Sequence, residues 1–254
     1  MVKLSGKPYS FTGKKILFFD LNGTLVDQHA SFRAAFQEAL HEFIGRWHGE
    51  TDMLNLEEIF SLYEAEWNKR KKHARLKGEE VQLSSLRQAV SQLPLETSDL
   101  FLQKLLQRIR DLQPGHVQLF PDAYEALSIL SKKYMLAVIS NGPTAAQLAK
   151  IHATGLSQFI PPHHLFTSHS EKSAKPHRTI FLNAMKKMDA SAKQSVMIGD
   201  SWKRDICGAL EAGMEAVWVK RIKNDDTNRP YEIKRIGQKP IPVVHSCKEL
   251  LQFF

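Results

Sequence analysis

Cysteine is scarce in this chain of 254 residues: Cys207 and Cys247 are the only two, and their separation fits no metal-ligand pattern. One disulfide is the most they could form, and two reduced thiols in a cytoplasmic protein are the expectation. Long apolar runs are also lacking. No stretch reaches the roughly 18 apolar residues that a membrane-spanning helix needs. The segment Met1–Lys15 is polar and mixed, with no apolar run ahead of Ile16, so it is not expected to be a signal peptide. There is no internal repeat, no low-complexity tract and no signature of a nucleic-acid module.

Positive charge is in excess. The formal net charge of +8 suits an anionic substrate, nucleic acid or an acidic partner. A basic surface without a dedicated partner is the reading adopted, so neither nucleic acid nor a membrane is expected as a partner. The densest basic run, Lys69 to Lys77, follows acidic residues inside a helical pattern, as a solvated helix face would. Arg70, Lys71 and Arg75 within it could help to attract anions.

The hydrophobic fraction of 43% supports a real core, and the length fits one large domain or a core with a smaller insert. Residues 28–113 read as helical throughout. Phe32, Ala35, Phe36, Ala39, Leu40 and Phe43 recur at three- and four-residue spacing. So do Ile59, Leu62, Tyr63 and Trp67, and again Leu100, Leu102, Leu105, Leu106 and Ile109. Pro94 separates two of these helices and Pro114-Gly115 closes the block. The rest alternates short apolar runs with helical stretches. The runs are Ile16–Phe19, Met135–Ile139, Val196–Ile198, Ala216–Val219 and a weaker Ile241–Val244. The helical stretches are Ala123–Lys132, Ala145–His152, Thr179–Met188 and Arg204–Ala212, while Asn224–Gln238 is polar and reads as a loop. Strands apolar on both faces and separated by helices predict a doubly wound, Rossmann-like α/β core on a parallel sheet. The helical block interrupts it after the first strand, as a cap domain over 28–113 would, leaving 1–27 and 114–254 to the core.

In such sheets ligands bind beyond the carboxyl ends of the strands. Asp20, Ser140 and Asp200 each follow or close such an end. A carboxylate after four apolar residues is costly to bury unless paired or bound to metal. Asp20 reads as a nucleophile, or as a cap of the turn after its strand; Gly23-Thr24 behind it favours the first. Thr24 and Ser140 offer hydroxyls, and Gly23, Asn141 and Gly142 offer backbone donors for an anion. Lys175 precedes Pro176, which biases it towards an extended backbone. Asp200 and Asp205, with Asp20, form an oxygen-rich set suited to Mg²⁺.

Taken together, Asp20, Ser140, Lys175 and Asp200 with Asp205 resemble the four motifs of the haloacid dehalogenase (HAD) superfamily, in its order and over nearly the whole chain. The insert resembles the C1 cap of its phosphatases. The resemblance implies a Mg²⁺-dependent hydrolase of small phosphorylated substrates, with Asp20 as nucleophile, Lys175 as its neutralising cation, and phosphate held by Thr24, Ser140, Asn141 and Gly142. It also implies Mg²⁺ held by Asp20, Asp200, Asp205 and the backbone carbonyl of Asn22. One residue departs from the pattern. The family's phosphatases carry a second aspartate two residues after the nucleophile, which protonates the leaving oxygen and then activates water; here that residue is Asn22, whose amide can do neither. Three activities are therefore compared: a slow phosphatase using a substitute donor such as His29, Asp27 or a cap residue; a protein that binds metal and phosphate without turnover; and a dehalogenase, which attacks carbon without a metal. Asn22-Gly23 is moreover a dipeptide prone to deamidation, which would restore the acid.

Overall fold

The computed structural model describes residues 9–45, 55–71, 78–91, 93, 97–221 and 232–254. Two compact units result, one of Met1–Asp27 with Gln118–Phe254 and one of Gln28–Val117.

The first unit is built on a seven-stranded sheet. Its strands are β1 (Ile16–Phe19), β2 (Met135–Ser140), β3 (Leu165–Thr167), β4 (Ser195–Gly199), β5 (Glu215–Val219), β6 (Glu232–Ile236) and β7 (Lys239–Val244). They lie in the order β3-β2-β1-β4-β5-β7-β6. All neighbours are parallel except β6, which runs antiparallel to β7. This is the α/β core that the apolar runs predict. All four residues of β1 are fully buried. Ile16 and Phe18 pack with Phe166, Ile180, Phe181 and Met185, while the alternation of a strand sends Leu17 and Phe19 to the opposite, equally buried face. A continuous apolar run is what a strand covered on both sides requires.

Two strands escape the sequence reading. β3 has only three residues. β6 falls within the expected loop over 224–238, a reading the structure corrects: its exposed and half-exposed charged residues suit a sheet edge, where one row of backbone groups meets water. The part of that loop before Glu232 lies outside the described residues. The expected helix over Arg204–Ala212 is instead a π-helical turn, Trp202–Cys207, running into a short α-helix, Gly208–Glu211.

The second unit holds α1 (Gln28–Gly45), α2 (Leu56–Lys71), α3 (Gly78–Val90) and α4 (Asp99–Leu112), followed by a 3₁₀ turn over Gln113–His116. That turn packs on α1, where His116 pairs with Glu38. The predicted apolar positions meet in one cluster, with Phe36, Ala39, Leu40, Leu105 and Ile109 at its centre. Leu100 is the exception. It lies at the start of α4 and is 60% exposed, because Leu102, Leu105, Leu106 and Ile109 already define the buried stripe. Lys69 and Arg70 both reach Glu66 on their own helix, as on a solvated face. Arg75 and Pro94 lie outside the described residues, as does the side chain of Lys71.

Candidate functional site

β1 sits where the strand order turns back, with β2 on one side and β4 on the other. A crevice opens at the carboxyl ends of strands at such a point. The three ends there deliver Asp20, Ser140 and Asp200. Phe19 is in register with Val138 and with Ile198, and the N–H of Asp20 donates to the carbonyl of Ile198 at 2.8 Å, so the backbone at Asp20 is fixed by the sheet.

Lys175 joins the parts. Its ammonium lies 2.6 Å from Asp20 Oδ1, 2.7 Å from Asp205 Oδ1 and 2.7 Å from the carbonyl of Ile139. Asp20 Oδ1 and the Ile139 carbonyl accept hydrogen bonds from it, and Asp205 Oδ1 is held as an ion pair. The backbone of Lys175 is held as well: its N–H donates to Asn141 Oδ1 at 2.8 Å, and Asn141 Nδ2 donates to its carbonyl at 3.0 Å. Asn141, expected to supply a backbone donor, thus uses its side chain to seat Lys175. Gly142 N–H is likewise engaged, donating to Ser168 Oγ at 2.9 Å. Burial opposes the charge on Lys175, but Asp20 and Asp205 outweigh it and hold the ammonium above the ordinary lysine range.

The acids crowd together. One ligand atom from each of Asp20, Asp200 and Asp205 lies within 4.8 Å of the others. Burial pushes the Asp20 carboxyl up; Lys175 opposes the shift, and repulsion from Asp205 and Asp200 adds to it. Burial and then Asp205 raise Asp200 in the same way. Two glycines make this closeness possible. Gly23 has φ +93°, and a Cβ there would stand 2.8 Å from Asp200 Oδ2; a Cβ on Gly199 would stand 2.5 Å from the Asp205 side chain. Asp205 Oδ2 accepts the N–H of Ser201 at 2.8 Å, and Trp218 Nε1 donates to the carbonyl of Asp200 at 2.8 Å, which anchors the loop after β4.

Several polar atoms here are buried without a partner among the described residues: Asp20 Oδ2, Thr24 Oγ1, Ser140 Oγ and Asp200 Oδ1. Leaving buried polar atoms unbonded costs free energy, and a buried carboxylate oxygen needs a cation or donor. Three clustered carboxylates, two of them on one ammonium, with free hard oxygens between them, fit Mg²⁺. The two hydroxyls and Asp20 Oδ2 are polar atoms open to a ligand.

Sequence reasoning missed Lys150 and Gln147, both on the helix Thr144–Ala153, one turn apart. Lys150 Nζ donates to Asn22 Oδ1 at 2.6 Å, and Asn22 Nδ2 donates to Gln147 Oε1 at 3.2 Å. A lysine ammonium can only donate, so it fixes which end of the Asn22 amide faces it. The Gly23 N–H, the atom that deamidation would need to attack the Asn22 carbonyl carbon, donates instead to Val26 at 2.9 Å. Both ends of the Asn22 amide and the Gly23 N–H are thus engaged within the fold. Arg221 braces the same loop, donating to the Thr24 carbonyl at 2.8 Å and to Asp122 at 2.6 Å while its guanidinium covers the Phe120 ring. His29 belongs to the helical unit and pairs with Glu64, and the Asp27 N–H donates to Gln118.

The doubly wound sheet thus carries an acid–lysine cluster at its switch point. The chain belongs to the haloacid dehalogenase-like hydrolase family, whose model matches residues 14–213. It is similar to the glyceraldehyde 3-phosphate phosphatase of Methanothermobacter thermautotrophicus, 32% identical over 52% of this chain and 58% of that one. It is also similar to the enzyme of the same name from Pyrococcus furiosus, 26% identical over 86% of this chain and 85% of that one. Among solved structures, the magnesium-bound HAD-hydrolase YfnB of Bacillus subtilis shares the fold with a TM-score of 0.62, at 22% identity over 93% of this chain and 96% of that one. Among the described residues, no helix is long and apolar enough to cross a membrane.

Proposed function

We propose that the chain is a Mg²⁺-dependent phosphatase of small phosphorylated metabolites, a sugar phosphate or a nucleoside monophosphate, with a helical cap domain over 28–113. The observation that carries this reading is the Lys175 ammonium shared by Asp20 and Asp205, with Asp20 Oδ2 buried and unbonded beside it. The names of the relatives support the substrate class.

In this reading Asp20 Oδ2 attacks phosphorus while Lys175 holds Oδ1. The bond from phosphorus to the leaving oxygen breaks and its electron pair goes to that oxygen. Water then cleaves the aspartyl-phosphate, which returns the carboxylate and releases inorganic phosphate. Thr24 and Ser140 donate to the phosphoryl oxygens. When bound by Asp20, Asp200, Asp205 and the carbonyl of Asn22, Mg²⁺ supplies positive charge to the transferring group.

Asn22 sets the rate. With no acid at that position, an aryl phosphate, whose leaving group hardly needs a proton, should be cleaved far faster than an alkyl one, and a chelator should abolish both. Equal rates on the two esters, or cleavage unaffected by the chelator, would contradict this. A second reading has its own support: both ends of the Asn22 amide are engaged, which leaves no base there for water, so the protein would capture phosphate without useful turnover. Robust multiple turnover on any metabolite would remove it.

A further inference from the structure

Among the described residues, the Lys150 ammonium is a cation bonded to Asn22 that no motif accounts for. It is half-buried. Its bonded partner among the described residues is Asn22 Oδ1, at 2.6 Å, so two of its three donors remain available. Asn22 is two residues from Asp20, and Gln147, 4% exposed and one helical turn before Lys150, holds the other end of the same amide. An aspartate at position 22 would have formed an ion pair with this ammonium. The amide leaves it uncompensated; burial holds the ammonium below the ordinary lysine range, and the charge of Asp20 opposes that shift.

We propose that Lys150 is a further catalytic residue: its ammonium stands as a fixed cation against the leaving oxygen and stabilises the negative charge that develops there. The inference rests on the phosphatase reading and deepens it. As Asp20 forms its bond to phosphorus, the electron pair of the breaking bond goes to the leaving oxygen. Lys150 holds that charge through a donor not used by Asn22, and the oxygen takes its proton from water; Lys150 keeps its own. Charge stabilisation of this kind acts only in the transition state, so it raises kcat and matters most when the leaving oxygen is basic.

The test compares Lys150→Met and Lys150→Arg on an alkyl and an aryl phosphate, in the full chain with Mg²⁺. Lys150→Met is expected to lower kcat on the alkyl ester by on the order of 10²-fold and to leave the aryl ester nearly unchanged. Lys150→Arg, which keeps the charge and cannot give up a proton, is expected to retain most of the alkyl activity. In an Asn22→Asp background the methionine substitution should cost less, because the new acid takes over the leaving oxygen. Equal losses on both esters would mean a structural role and overturn the proposal, as would no loss, or an arginine variant as poor as the methionine one. These failures leave the phosphatase reading intact. A wild-type chain that cleaves neither ester would overturn both.

Discussion

Lys175→Met should inactivate the protein and destabilise it more than any other single change in the site. The substitution preserves volume but leaves Asp20 and Asp205, both buried, facing each other without a counter-charge, and leaves the carbonyl of Ile139 short of a donor. Removing one partner of a buried ion pair typically costs about 3–5 kcal/mol, which in a chain of this size is a fall in Tm of roughly 6–20 °C. A thermal melt measures it. Added Mg²⁺ should recover part of the loss, since a divalent cation can neutralise the same carboxylates. Activity should not return, because nothing else would neutralise Asp20 Oδ1 during attack. A melt unchanged from wild type would mean that the carboxylates are neutralised from elsewhere.

Asn22→Asp should have the opposite sign. A carboxyl two residues after the nucleophile can give a proton to the leaving oxygen and then take one from water. General acid–base catalysis contributes about 10²–10⁴-fold, so kcat on alkyl phosphates should rise by a factor in that range, with a much smaller gain on aryl esters. The fold should tolerate the change, since the new carboxylate would meet Lys150 Nζ where the amide oxygen now does. A steady-state comparison of the two chains on both esters decides it. No gain on the alkyl ester would mean that another group already supplies the proton, or that phosphoryl transfer is not the reaction.

How much of this was legible follows from where the signal lies. β1, β2, β4 and β5 are buried on both faces, so each is a run of apolar residues and stands out. β3 is too short to show a pattern, and β6 is polar because it is an edge. The site acids were legible because burying a carboxylate at a strand end demands a reason, and three strands supply such ends to one side. The path from Asp205 to Lys175 to Asp20 was not, since a lysine before a proline looks like many others, and its meaning lies in a 2.6 Å contact across 155 positions of sequence. The sequence offers Asn141 only as a backbone donor for an anion; the structure turns its amide to Lys175. Lys150 and Gln147 were hidden most completely. In the sequence they are polar residues of a surface helix, and the one available hint is their three-residue spacing on a helix that starts just after Ser140-Asn141-Gly142.

The central claim is that Asp20 carries the phosphoryl group. The direct measurement is peptide mass spectrometry after acid quench of the chain turning over an aryl phosphate with Mg²⁺. A phosphoryl group is expected to accumulate on Asp20, to vanish in Asp20→Asn, and to diminish in Asn22→Asp. Turnover of the ester with Asp20 unmodified throughout, or with the phosphoryl group on another residue, would contradict the account.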